Sequence, residues 1–447
     1  MAPDRRSAFP HALAYAGPMK LRNGQSAPGR WLGILLSALL MALAPGTVMA
    51  YPLDAAEETG IERLTGYRLA NEGVIPGSRV HPGALLDRDQ IHLRLTGQPG
   101  FSLPPADPEL TRRIVGLLGS DAPRYSVSVL DISDPDAPLY AEHNGNARRT
   151  PGSVGKVMLA VALLQAIADR YPNDIEARKR LLRETQVTAD DFIHWDSHKV
   201  PLWDADRQRF NRRPLRVGDT ANLWTYLDWT LSASSNAAAS TVMKQLVLLH
   251  YFGDQYPVSA ERESALFEDL SRSERRDVLL DALITPLARN GFDTDILRQG
   301  AFFTSKGKQR MPGTNSLATT RALMQLLVKM EKGELVDAWS SRELKRLLYI
   351  TQRRIRYASS PALRDAAVFF KSGSLYKCDR EKNPDCGKYR GNVYNYMHSV
   401  AIVEAPAGDP EHVYLVTMTS NVLGRNSAVA HQTFATRLHR LLTGWRD

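Results

Sequence analysis

The stretch Ser153-Val-Gly-Lys-Val-Met-Leu-Ala-Val-Ala-Leu-Leu-Gln-Ala-Ile-Ala-Asp-Arg170 decides the fold. From Val154 to Arg170 it predicts a helix that is apolar on almost every side. A helix of that kind belongs at the centre of a large domain rather than on its surface. The turn Thr150-Pro-Gly precedes it. Ser153 and Lys156 therefore open the helix, and positions i and i+3 share a face.

A serine hydroxyl is a weak nucleophile until a base takes its proton. A lysine serves as that base only when neutral. Its ordinary pKa of about 10.4 must then fall to about 7, a cost of about 4 kcal/mol. Burial and neighbouring cations produce such changes. The first turn of an apolar central helix supplies the burial. Its free backbone N–H groups also suit an oxyanion.

The Ser-x-x-Lys pattern alone is weak. It recurs at Ser305 with Lys308 and at Ser374 with Lys377. A helix-capping serine followed by a surface lysine makes the same pattern. Only Ser153 opens an apolar helix. Ser305 lies in the polar run Ser-Lys-Gly-Lys-Gln-Arg310, read here as a solvated loop.

Around the central helix, Pro108 to Leu118 predicts a helix. Tyr125-Ser-Val-Ser-Val-Leu-Asp131 alternates as a strand, and Leu139 to Glu142 returns as a second after the turn Asp134-Pro-Asp-Ala-Pro138. Further helices are expected over Val217 to Leu231, Asn236 to Leu249, Glu274 to Asn290 and Ala318 to Lys332. Three strands follow, over Ala367 to Ser372, Val393 to Glu404 and His412 to Ser420. A helix from Val429 to Leu442 comes last. Strands at both ends with helices between them give an α+β class. The expected form is an antiparallel sheet flanked by helices, with a mainly helical subdomain. Residues 106–447 form this domain. Residues 51–105 are rich in Gly and Pro, weakly periodic, and expected to pack on it as an extension.

Two other patterns occur once each. Ser234-Ser-Asn236 falls on the turn between two helices, where a second helix cap is the plain alternative. Lys371-Ser-Gly373 ends the strand Ala-Val-Phe-Phe, where an exposed lysine would be unremarked. Gly373 permits close backbone approach there. In this order and these contexts, the three patterns resemble the penicillin-recognising active-site-serine superfamily, which includes class A β-lactamases and D-alanyl-D-alanine peptidases. The resemblance covers roughly residues 107–447. It extends to the run from Leu215-Arg-Val-Gly-Asp-Thr to Ser234-Ser-Asn-Ala-Ala-Ala.

That resemblance implies roles. Ser153 attacks a carbonyl and is acylated, and Lys156 takes its proton. Ser234 passes a proton to the leaving nitrogen, and Asn236 holds the substrate amide and Lys156. Lys371 keeps the field positive and orients Ser234. Ser372, Gly373 and Ser374 bind substrate, with the two hydroxyls meeting its carboxylate. The N–H groups of Ser153 and Ser374 form the oxyanion hole. The substrates implied are a small-molecule β-lactam or a peptidoglycan stem peptide ending in D-Ala-D-Ala. No metal and no organic cofactor are implied.

The sequence departs from the class A pattern in one place. The stretch Ile296-Leu-Arg-Gln-Gly-Ala-Phe-Phe-Thr-Ser-Lys-Gly-Lys-Gln-Arg310 corresponds to the loop that carries a deacylating glutamate, yet it holds no Glu or Asp. Glu261, Glu263 and Glu268 read as a solvated helix face. One positioned base is worth about 10²–10⁴-fold, so β-lactam turnover is expected to be slow. A D-alanyl-D-alanine peptidase, and a penicillin-binding sensor that acylates and stalls, remain open alternatives. The spacings of 81 residues from Ser153 to Ser234 and 137 from Ser234 to Lys371 require insertions. One, Asp190-Asp-Phe-Ile-His-Trp-Asp-Ser-His198 with Trp203, is expected to be a polar loop at the rim of the cleft. It shows no metal-ligand spacing.

Lys20 to Arg30 followed by the apolar run Trp31 to Leu43 and Val48-Met-Ala50 has the layout of a secretory signal, cleaved after Ala50, with an uncleaved N-terminal anchor as the plain alternative. Translation from Met19 suits that layout better than Met1. Export to the periplasm is expected, with no stable membrane span in the mature chain. The leader carries Arg5, Arg6, Lys20, Arg22 and Arg30 against Asp4, which leaves about +5 of the total net charge of +9. No basic block points to nucleic acid. Cys378 and Cys386, the only cysteines, are expected to pair as a disulfide in an oxidising compartment.

Overall fold

The computed structural model describes residues 55–193, 196–351 and 354–444. The leader and its cleavage site, and His194 and Trp195 of the insertion, lie outside the described residues. Five antiparallel strands build the main sheet, in the order Leu139–His143, Tyr125–Asp131, His412–Asn421, Tyr394–Ala405 and Ala367–Lys377. Two come from the N-terminal side of the domain and three from the C-terminal side. Their side chains alternate between two cores, as a period of two requires. Val127, Val129, Ala401, Val403, Val416 and Phe370 face one core with Phe434 and Leu438 of the terminal helix, Ser427–Thr443. Leu130, Val400, Ile402, Leu415 and Phe369 face the other, with the helical subdomain. The chain is therefore α+β, with the sheet covered on both faces.

The central helix runs from Gly155 to Arg170, preceded by a 3₁₀ turn over Gly152–Val154. Apart from Ala166, Asp169 and Arg170 its residues are buried. It is the one described helix long and apolar enough to cross a membrane, and it spends that character on the core.

Two expected elements differ. The helix drawn from Val217 begins only at Leu223. Thr220–Asn222 instead pairs with Gln186–Thr188, and the Asn222 side chain caps the helix by accepting from Thr225 N at 2.8 Å. Ser305–Arg310 is not a loop but a short helix, capped by Thr304 Oγ1, which accepts from Gly307 N at 3.1 Å.

The segment before the domain is built into it. Ile61, Leu64, Leu86, Ile91 and Leu95 are buried in the same core as the central helix. Arg63 binds Asp228 at 2.6 Å through both Nε and Nη2. Trp203, expected at the cleft rim, lies in the strand Val200–Asp204 and packs against Phe210 of the neighbouring strand and against Gly66 of this segment. Glu261 and Glu268 are exposed as expected, but Glu263 is half-buried and pairs with the buried Lys244, because a buried ammonium requires a counter-charge.

Candidate active site

The Gly152–Val154 turn that carries Ser153 lies against the edge strand of the sheet. A Cβ placed on Gly373 would come within 2.9 Å of both Ser153 N and Pro151 O. Only glycine lets the Ala367–Lys377 strand approach this turn so closely. Gly152, at φ +52°, takes the left-handed conformation that starts the turn. The backbone of Ser374 lies close by, its N 3.8 Å from where a Gly152 Cβ would be.

Lys156 joins two of the three patterns. It is fully buried, and its Nζ lies 3.1 Å from Ser153 Oγ, 2.7 Å from Ser234 O and 2.7 Å from Asn236 Oδ1. All three partners are neutral oxygens. The Phe303 ring covers the same ammonium at 4.8 Å. Burial lowers the Lys156 pKa to about 7, against the upward pull of the Asp196 carboxylate. The other two Ser-x-x-Lys copies differ: Ser305, Lys308 and Lys377 are exposed, and Ser374 is half-buried.

Ser234 takes φ +57°, a left-handed conformation that a side-chain-bearing residue holds only when its surroundings impose it. Lys156 binds its carbonyl, and Lys371 Nζ donates to its Oγ at 2.8 Å. Lys371 Nζ also reaches Ser372 O at 2.9 Å. Burial pushes the Lys371 pKa well below the usual lysine value, and the charges of Lys156 and Arg356 push it the same way. Ser153, Lys156, Ser234, Asn236 and Lys371 thus form one connected group. Gly373 touches it through the backbone, and Ser372 and Ser374 flank it on the strand.

Three further residues belong to this group. Arg356 Nη1 donates to Ser372 Oγ at 2.7 Å, and its Nη2 to Ser374 Oγ at 3.2 Å and Tyr389 OH at 3.0 Å. It places a fixed cation beside the two hydroxyls. Asp196 is buried under the second pattern, where it accepts from Asn236 N at 2.7 Å. His398 lies opposite Gly373 in the register, and burial lowers its pKa to about 3, so it stands neutral. None has a local signature. Arg356 opens a 3₁₀ turn and precedes its two serine partners by 16 and 18 residues and Tyr389 by 33, and Asp196 precedes Asn236 by 40. The insertion Asp190–His198 did offer a hint, three acids and two histidines in a polar run, but nothing in its spacing aimed them at Asn236.

Cys378 and Cys386 are bonded, with Cα atoms 5.6 Å apart. The loop they close leads to Tyr389, which carries its hydroxyl to Arg356.

No protein-family model matches the chain, and no curated protein matches its sequence. Among solved structures, PBP-A is similar at 13% identity and TM-score 0.46, covering 77% of this chain and 100% of its own. A β-lactamase from Xanthomonas campestris pv. campestris is similar at 16% identity and TM-score 0.46, covering 75% of this chain and 98% of its own. A β-lactamase from Chitinophaga pinensis is similar at 14% identity and TM-score 0.43, again over 75% and 98%.

Proposed function

We propose that this chain is an exported serine acyl hydrolase that forms an acyl-enzyme at Ser153 with β-lactams or acyl-D-Ala-D-Ala-type amides. One observation carries the reading: Lys156 is fully buried with only neutral oxygens as hydrogen-bond partners, one of them Ser153 Oγ at 3.1 Å. A lysine held this way gives up its proton near neutrality.

Neutral Lys156 takes the Ser153 proton as Oγ attacks the carbonyl carbon. The oxyanion settles between the N–H groups of Ser153 and Ser374. The proton returns through Ser234 Oγ to the leaving nitrogen, the C–N bond breaks, and an ester remains on Ser153. The Lys371 contact keeps Ser234 Oγ in line for that transfer. Arg356 with Ser372 and Ser374 holds the substrate carboxylate next to the amide. Water then attacks the ester and releases a carboxylic acid, with Lys156 as the base at hand.

The absence of any carboxylate from Ile296–Arg310 favours a second reading of the substrate. Without a separate base for water, the acyl-enzyme with a β-lactam is long-lived, and the working substrate is a D-Ala-D-Ala peptide of peptidoglycan. A sensor that acylates and stalls gives the same long-lived label but no peptide product.

The test uses the mature protein, a fluorescent penicillin and mass spectrometry. Label on Ser153 with fast release marks a β-lactamase. Persistent label with D-Ala released from a muropeptide marks a peptidase, and persistent label without product marks a sensor. Absence of label, or label that survives Ser153→Ala, overturns the reading.

A further inference from the structure

The Ser234-Ser-Asn236 turn is held from both sides. Lys156 binds the Ser234 carbonyl on one side. On the other, Asp196 Oδ2 accepts from Ser235 Oγ at 3.0 Å, Asn236 N at 2.7 Å and Ala237 N at 3.0 Å. Ser235 Oγ in turn accepts from Ala238 N at 3.1 Å. Three of the N–H groups that a helix start leaves without partners are thereby satisfied. The negative charge also lies at the positive end of the Asn236–Phe252 helix.

Asp196 is itself held. Its side chain is 2% exposed, and its Oδ1 accepts from His198 N at 3.0 Å and His198 Nδ1 at 2.6 Å. Burial would raise this carboxyl, but the His198 contacts and the second-pattern amides outweigh it and hold the group ionised, well below the usual carboxylate range. Its partners on the turn lie 39 to 41 residues downstream.

We infer that Asp196, carried in by the insertion before the second pattern, is a positioning residue that locks Ser234 and Asn236 in their working geometry and places a negative charge behind Asn236, the residue whose Oδ1 accepts from Lys156 Nζ. This rests on acylation at Ser153 and deepens that reading. The charged groups around Lys156 are few. Asp196 backed by His198 stands on the second-pattern side, and Lys371 with Arg356 beyond it stands on the strand side. Phe303 closes the remaining side without charge. Asp196 is the one carboxylate in this set, so its charge holds the Lys156 proton more tightly than burial alone would.

The test is the pH dependence of single-turnover acylation by a fluorescent penicillin. Asp196→Asn keeps the shape and removes the charge. Acylation is expected to slow by about 10- to 100-fold through the weakened turn. The acid limb of its profile is expected to move to lower pH by about half a unit or more, because Lys156 loses its proton more readily. His198→Ala keeps the carboxylate and loses one of its supports. It is expected to slow acylation by roughly 3- to 10-fold and not to move the limb downward. A purely structural Asp196 would lower the rate of Asp196→Asn and leave its limb in place, which overturns the electrostatic half of the inference. Both variants acylating within about twofold of wild type overturns the positioning half. If Asp196→Asn does not fold, an unslowed His198→Ala overturns the inference alone. A wild type that is not labelled, or a labelled Ser153→Ala, instead overturns the proposed function beneath it.

Discussion

Lys156 and Lys345 are both completely buried, and they are kept in opposite ways. Lys345 Nζ lies 2.7 Å from Glu331 Oε1, 2.7 Å from Glu404 Oε1 and 2.6 Å from His92 O. Arg94 adds its guanidinium to Glu404 and its backbone N–H to Glu331. Lys244, also buried, pairs with Asp190 and Glu263. Lys156 receives three neutral oxygens and a ring, with no carboxylate in contact. Charge pairing is what a buried ammonium needs to stay charged. Lys345 and Lys244 are given carboxylates, whereas Lys156, the base in the proposed function, has none in contact.

Replacing Lys156 and Lys345 by methionine should therefore give opposite results. Lys156→Met is expected to slow Ser153 acylation by about 10²–10⁴-fold, the worth of a positioned base, measured as the rate of fluorescent penicillin labelling. The same change is expected to raise stability at pH 6 by about 0.5–2 kcal/mol in urea denaturation, as relief of a functional strain does. The sign follows from the Lys156 pKa, about 7 when folded against 10.5 ordinarily. Below about 7 the folded state bears the full cost of a buried charge, and that cost fades as pH climbs toward 10.5. A Lys156→Met that is less stable than wild type at pH 6 breaks the comparison.

Lys345→Met should instead cost about 3–5 kcal/mol, because it leaves Glu331 and Glu404 buried with Arg94 alone. Acylation per folded molecule should stay within about twofold, since no site residue touches this cluster. A stable Lys345→Met with slowed acylation would mean that the two lysines are not functionally separate.

Arg356→Ala sharpens the comparison at smaller scale. This cation is paired with hydroxyls rather than carboxylates, which leaves it free for an incoming one. The penicillin concentration giving half-maximal acylation should rise by roughly 10- to 100-fold, with the maximal rate much less affected. An unchanged concentration dependence would remove Arg356 from substrate binding.

What the sequence revealed follows the same division. The helix Pro108–Leu118 and the strand Tyr125–Asp131 were legible to the residue. Asp107 capping Leu110 N, Pro108 at the first position, and period-2 alternation are all local signals. The helix start at Leu223 was not, because Thr220–Asn222 is claimed by strand pairing with a segment 34 residues earlier. That Ser153, Lys156, Ser234, Asn236 and Lys371 come together was legible because the chemistry proposed for them restricts their types and order. Asp196 and Arg356 were not, because an isolated acid or base between the longer elements says nothing about what folds against it. The role of residues 55–105 was hidden for a similar reason. Their core contribution comes from scattered residues such as Ile61, Leu64 and Ile91, which make no periodic stripe.

The most direct measurement is the pH dependence of acylation itself. Single-turnover labelling of Ser153 between pH 5 and 9 should rise with pH through one limb at about 7, the value at which Lys156 becomes neutral, and then level off. A rate that is flat across that range, or that climbs only toward 10.5, would contradict the claim that Lys156 is the base.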